Sequence, residues 1–91
     1  MSILEQIEEV LVAEEVLVEQ NDIILYNDDF NTFDHVIQSL MKYCDHTAIQ
    51  GEQCAHIVHH NGKCQIKRGI YKDLKPICEA LLENGLTAKI E

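Results

Sequence analysis

The chain has 91 residues, and its 46% apolar content is enough for one modest core in a single small domain. Sixteen acidic residues against seven basic ones give a net charge of -9, which argues against binding to the phosphate backbone of a nucleic acid. No apolar run approaches the length of about twenty residues that spans a membrane, and the first residues lack the pattern of a signal peptide. We therefore expect a cytoplasmic protein without a nucleic-acid or membrane partner, whose four cysteines are thiols rather than disulfides.

The first segment, residues 1–21, is acidic and aliphatic and contains no Lys or Arg. We predict that it is an N-terminal arm and that residues 22–91 are the folded domain. Two alternatives remain open for this segment: a strand or arm docked on its own domain, and a segment that orders on a partner.

A strand and a helix are predicted next. The run of β-branched and aromatic residues from Ile23 to Asn27 is typical of a strand, and Asn27-Asp28-Asp29 interrupts it. Asn31 or Thr32 is a natural N-cap for the helix that follows. Apolar residues then recur at intervals of three and four, which places them on one helical face: Phe33, Val36, Ile37, Leu40 and Met41.

The second half of the chain contains two more helices and two more strands. Thr47 with Gln50 is a capping box, which predicts a helix through about Asn61 with Gly62 as its stop. "KCQIK" and "LTAKI" are short strands, and the segment between them predicts a third helix, in which Pro76 is tolerable only near the first turn. The order strand, helix, helix, strand, helix, strand predicts an α+β two-layer sandwich with a three-stranded, mostly antiparallel sheet and three helices.

The Asn27-Asp28-Asp29 sequence has several interpretations on the residues alone. Asn and Asp after a strand are typical of a turn, because their side chains hydrogen-bond to the nearby backbone. A catalytic pair is disfavoured because no nucleophile accompanies the two carboxylates. A calcium loop is disfavoured because the central Gly and the closing Glu are missing from "NDDFNTFDH".

A second cluster, "CAHIVHHNGKC", contains His56, His59 and His60 at offsets of three and four, with further cysteines and His46 nearby. Zinc accepts such ligands, but its structural sites usually show paired cysteines two residues apart, and none occurs here. Metal binding through this cluster, in a small metal-binding protein, is the alternative function. The other interpretation is that the cysteines are small core residues and that one of the histidines faces a pocket.

Together the two clusters resemble the ClpS family of Clp protease adaptors. The family signature is a strand ending in Asn-Asp-Asp and an aromatic residue, a helix that begins with apolar residues, and a later helix ending in Val-His followed shortly by Gly-Lys. Here these features read "ILYNDDF", "FDHVIQSL" and "IVHHNGK", and the resemblance extends from about residue 23 to residue 91.

The resemblance implies a non-enzymatic adaptor that needs no cofactor. It would bind the free, bulky apolar or aromatic N-terminal residue of N-degron substrates and deliver them to a Clp-class AAA+ unfoldase, with the N-terminal arm engaging the unfoldase. By resemblance, the α-amino group is bound by Asn27, Asp28, Asp29 and His59. The N-terminal side chain would enter a pocket made by Leu25, Asn31, Phe33, Val36, Ala55, Val58 and Leu86.

The sequence departs from the family pattern at the pocket. The family commonly has Thr-Pro where this chain has Asn31-Thr32, and Met where it has Phe33 and Ala55. The accepted N-terminal residues are therefore expected to differ from the usual set. A protein-interaction domain of the same fold with diverged specificity is a further alternative.

Overall fold

The computed structural model describes residues 19–91, so all but the last three residues of the predicted arm lie outside the described part. Asn21, the last residue assigned to the arm, is the first residue of a strand. The elements of the described part are β1 (Asn21–Tyr26), α1 (Phe33–Cys44), α2 (Ala48–Asn61), β2 (Lys63–Gly69), α3 (Tyr71–Glu83) and β3 (Thr87–Ile90).

The three strands make one antiparallel sheet in the order β2-β1-β3, with β1 at its centre. Ile23 and Leu25 alternate along β1 and are buried, because every second side chain of a strand points to the same face. The helices pack against that face, where Leu40, Leu74 and Leu81 complete the fully buried core. The predicted α+β sandwich and the order of its elements are confirmed, and the sheet is wholly antiparallel.

The helix boundaries follow the predicted caps. The Thr32 hydroxyl accepts the His35 N–H at 3.1 Å and so begins α1. Thr47 and Gln50 form the full capping box at the start of α2, each side chain accepting the backbone N–H of the other residue. Gly62 ends α2 with a φ of 88°, a left-handed conformation that glycine adopts without steric cost.

The expectation for Pro76 was wrong. Because α3 begins at Tyr71, Pro76 is the sixth residue of the helix and lies in its second turn. A proline there cannot donate an N–H to the carbonyl of Lys72. Both Lys72 and Pro76 are exposed, so water is available to that carbonyl and the helix continues to Glu83.

The apolar stripe predicted on α1 is buried only along its centre. Leu40 is fully buried, whereas Phe33 and Met41, at the edges of the stripe, are 37% and 36% exposed. Phe33 is also the first residue of the helix, next to the loop that follows β1. This position makes its ring available to a site at that end of the molecule.

Candidate functional site

The loop after β1 is held by the carboxylate of Asp28. Its Oδ1 accepts the backbone N–H groups of Phe30 and Asn31, both at 2.9 Å, and its Oδ2 accepts the Asn31 side-chain amide at 2.7 Å. Partial burial raises the pKa of Asp28, but these bonds and one from the Thr87 hydroxyl outweigh it, so the net pKa lies below its ordinary value. The charged Asp28 carboxylate therefore stabilises the turn by hydrogen bonds to the nearby backbone, as Asn and Asp side chains often do in such loops.

Asn31 connects the same loop to a distant part of the chain. Its side-chain amide also donates to the carbonyl of Gly85, over 2.8 Å, in the turn between α3 and β3. Gly85 has a φ of 85°, which glycine adopts readily and other residues rarely do. This contact places the next residue, the buried Leu86, beside the loop.

Asn27 connects the end of β1 to the end of α2. Its backbone N–H donates to the carbonyl of Gly62 at 2.9 Å, one turn beyond His59. Both Asn27 and His59 are exposed, as is Asp29. Among residues 19–91 the Asp29 carboxylate makes no hydrogen bond and no ion pair, in contrast to Asp28 beside it. An acceptor amide, a free carboxylate and an imidazole are thus brought to one edge of the molecule.

A cavity of about 360 Å³ lies at this edge. All eleven residues that the sequence assigned to the site line it: Leu25, Asn27, Asp28, Asp29, Asn31, Phe33, Val36, Ala55, Val58, His59 and Leu86. Its polar residues come from the loop and the end of α2, and its floor is apolar. Leu25, Ala55, Val58 and Leu86 are all less than one-tenth exposed.

Phe33 forms part of the cavity wall, and its ring contacts two histidines of α2. Its centroid lies 5.1 Å from that of His56 and 5.4 Å from that of His59, with interplanar angles of 89° and 77°. Both are edge-to-face arrangements, the geometry that aromatic rings prefer. His59 also lines the cavity, whereas His56 does not.

Two lining residues, Tyr26 and Thr32, were missed in the sequence. Each directly adjoins a predicted site residue, Asn27 or Phe33, and that proximity is the signal that could have found them. The Tyr26 hydroxyl donates to the Glu91 carboxylate, and this bond raises the pKa of Tyr26. Thr32 was predicted as an N-cap and noted as a departure from the family pattern, but it was not assigned to the pocket.

The cysteines and His46 belong to the packing of the domain. The Nε2 of His46 donates to the carbonyl of Ile66 at 2.7 Å, and its Nδ1 lies 3.9 Å from the Cys54 Sγ. Burial raises the pKa of Cys44 to about 11 and that of Cys54 to about 12, so both thiols are protonated at neutral pH. Within residues 19–91, no group of three His, Cys, Asp or Glu side chains is arranged to hold a metal ion.

Comparison with known proteins agrees with the fold and with the sequence motifs. The family model for the ATP-dependent Clp protease adaptor protein ClpS matches residues 18–89. The chain belongs to the ClpS family. Members of this family are adaptors of the Clp protease rather than enzymes. No helix in residues 19–91 is both long and apolar enough to cross a membrane.

A sequence relative and a solved structure are similar to the chain. The ATP-dependent Clp protease adapter protein ClpS of Thermosynechococcus vestitus is 38% identical over 66 residues, which cover 71% of this chain and 70% of the relative. The structure of Agrobacterium tumefaciens ClpS2 bound to L-phenylalaninamide matches with a TM-score of 0.74 at 19% identity. The match covers 80% of this chain and 95% of ClpS2, and it establishes a shared fold.

Proposed function

We propose that this ClpS-family chain binds the free N-terminal residue of N-degron substrates and delivers them to a Clp-class AAA+ unfoldase. The preferred first residues would be bulky and apolar or aromatic. The observation that carries the proposal is a cavity that combines a buried apolar floor with the Asp29 carboxylate, which has no hydrogen-bond partner within residues 19–91. A free N-terminal residue presents the complementary pair, a cationic amine and a side chain on the same carbon.

The polar end of the cavity suits a protonated amine. Such an amine has three donors, and the Asp29 carboxylate, the Asn27 amide oxygen and a ring nitrogen of His59 are three acceptors. Asp28 already accepts bonds from its own loop, so its part is to hold Asp29 in place beside the first peptide unit. This division of roles explains why two adjacent carboxylates are present.

The apolar end suits a large side chain. Burying a Leu or Phe side chain there contributes about 1.5–3 kcal/mol, so the side chain and the amine must act together to give useful affinity. The cavity volume of about 360 Å³ lies near the lower end of the range for small-ligand sites. ClpS2, which shares the fold, was solved bound to a ligand that carries a free amine beside a benzyl group, and this supports the assignment.

Delivery requires contact with the unfoldase as well as with the substrate. We assign that contact to the predicted arm, residues 1–21, because all eleven residues assigned to the pocket through the family resemblance lie in residues 22–91. The adaptor itself breaks no bond and needs no cofactor in this proposal.

The proposal is tested with three labelled peptides that differ only in their first residue, which is Leu, Phe or Ser. Fluorescence anisotropy should show binding of the Leu and Phe peptides and much weaker binding of the Ser peptide. Adding the adaptor to a cognate unfoldase and peptidase should accelerate degradation of a protein that begins with Leu but not of one that begins with Ser. Equal binding of all three peptides would contradict the proposal.

A further inference from the structure

His56 has no place in the proposed amine site, yet it contacts a wall of the cavity. Its ring meets that of Phe33 nearly at a right angle, with 5.1 Å between the centroids. His56 is exposed and does not line the cavity. It therefore contacts Phe33 from outside the space that a ligand would fill.

His56 lies in a row of contacting side chains on the surface of α2. Its Nε2 lies 3.9 Å from the Glu52 carboxylate one turn earlier, and its ring stacks on that of His60 one turn later, with an interplanar angle of 8°. Neighbours at this spacing lie on one helical face. The row Glu52, His56, His60 therefore lies on the face of α2 from which the His56 ring contacts Phe33.

The Phe33 ring shares the cavity with a small residue. Ala55, the immediate neighbour of His56, is buried and lines the cavity with a single methyl group. Phe33 is the first residue of α1 and is 37% exposed, so it is not enclosed by the core. An edge-to-face ring contact shifts a conformational equilibrium by about two- to ten-fold.

We propose that His56 is a positioning residue for the side-chain pocket. It keeps the Phe33 ring in its position in the cavity wall, so that the ring does not enter the space beside Ala55. The pocket then accepts planar aromatic first residues as well as Leu. This inference rests on the proposed function and adds to it a determinant of substrate class that lies outside the cavity.

The test measures selectivity rather than affinity alone. In His56→Ala the Phe33 ring is released toward Ala55, so affinity for a Phe-started peptide should fall more than affinity for a Leu-started one. The Phe-to-Leu affinity ratio should drop by about two- to ten-fold. His56→Phe, which keeps a ring, should restore the ratio, and His56→Gln should not. A ratio that stays at the wild-type value in His56→Ala overturns the inference.

Two further variants separate positioning from a general loss of structure. Gln53→Ala truncates another exposed side chain of α2 that does not line the cavity, so it should leave the ratio unchanged. In a Phe33→Ala background, His56→Ala should have no further effect on the ratio, because the residue through which it acts is gone. An equal effect with and without Phe33 would overturn the inference.

Failure of the inference is distinguishable from failure of the proposed function. If wild-type protein binds Phe- and Leu-started peptides only when their amines are free, the proposed function stands whatever the His56 variants do. If the wild type binds neither peptide, both are overturned together.

Discussion

The backbone N–H of Asn27 donates to the carbonyl of Gly62, and this bond joins the end of β1 to the end of α2. Asn27 begins the loop that contains Asp29, and Gly62 follows the helical turn that contains His59. The bond therefore brings the two halves of the proposed amine site together, although they are thirty or more residues apart in the sequence.

The first prediction concerns Asn31, whose amide bridges Asp28 and Gly85. Asn31→Ala should lower the free energy of unfolding by about 1–2 kcal/mol, because two hydrogen bonds of a half-buried side chain are lost. Peptide affinity should also fall, by about three- to ten-fold, because the loop must reorder before it can bind. Urea unfolding and a peptide titration measure the two effects.

Asn84 provides the matched control for Asn31. Its amide also makes two hydrogen bonds, to the Tyr43 hydroxyl and the Ala80 carbonyl, but it does not line the cavity. Asn84→Ala should therefore lower stability to a similar degree and leave peptide affinity unchanged. Equal losses of affinity in the two variants would show that the effect of Asn31 is only one of stability.

Local sequence signals predicted the helices and strands well, but they could not predict contacts between residues distant in the sequence. The Thr32 cap and the Thr47–Gln50 capping box each form hydrogen bonds within one helical turn, so the local sequence is enough to predict them. Pro76 was misjudged because exposure of the Lys72 carbonyl, which makes the lost hydrogen bond tolerable, depends on how α3 packs.

The site residues were predicted through the family resemblance, and their contacts came from the structure. The bond from Asn31 to Gly85 and the ring contact of His56 with Phe33 each join segments distant in the sequence. No local pattern encodes such pairs, because they depend on the packing of whole elements.

The second prediction concerns the dependence of stability on pH. The pKa of Asp28 in the folded protein lies below its usual value of 3.8. Its charged form is therefore favoured by folding, and the stabilisation is fully present above a pH of about 4. It is lost as the pH falls through the lower, folded-state pKa.

Chemical unfolding of wild type and Asp28→Asn across this range tests the assignment. Asp28→Asn should be less stable at neutral pH, and the difference should shrink as the solution is acidified. Glu83→Gln removes the same charge from the exposed end of α3, where the side chain makes no hydrogen bond within residues 19–91. A similar convergence in Glu83→Gln would mean that total charge, rather than the Asp28 loop, governs acid stability.

The third prediction concerns the size of the pocket. Ala55 is buried and lines the cavity at a position where the family commonly has Met. Ala55→Met should fill the space that accommodates a branch at Cβ and should raise the preference for Leu over Ile by about 1–3 kcal/mol. Leu-, Ile- and Val-started peptides are titrated against both proteins. Identical Leu-to-Ile ratios would show that Ala55 does not control this selectivity.

The fourth prediction concerns the segment before β1. Deleting residues 1–18 leaves β1 whole, since the strand begins at Asn21. Peptide affinity should be retained, because all eleven residues assigned to the pocket lie after residue 18, while the accelerated degradation by the unfoldase should be lost. Loss of peptide binding in a truncated protein that still unfolds cooperatively would instead connect this segment to the pocket.

The most direct test of the amine site is a double-mutant-type thermodynamic cycle of peptide affinity. It combines Asp29→Ala in the protein with N-acetylation of a Leu-started peptide. Each change alone should weaken binding by about ten-fold or more, because each removes the same charge-assisted hydrogen bond. Together they should weaken it far less than the product of the two effects, since the second change has little left to remove. Asp34→Ala, which removes an exposed carboxylate that does not line the cavity, should leave the cost of acetylation unchanged. The account would be contradicted if the effects of Asp29→Ala and of acetylation simply multiplied. It would also be contradicted if the acetylated peptide bound the wild type as tightly as the free peptide does.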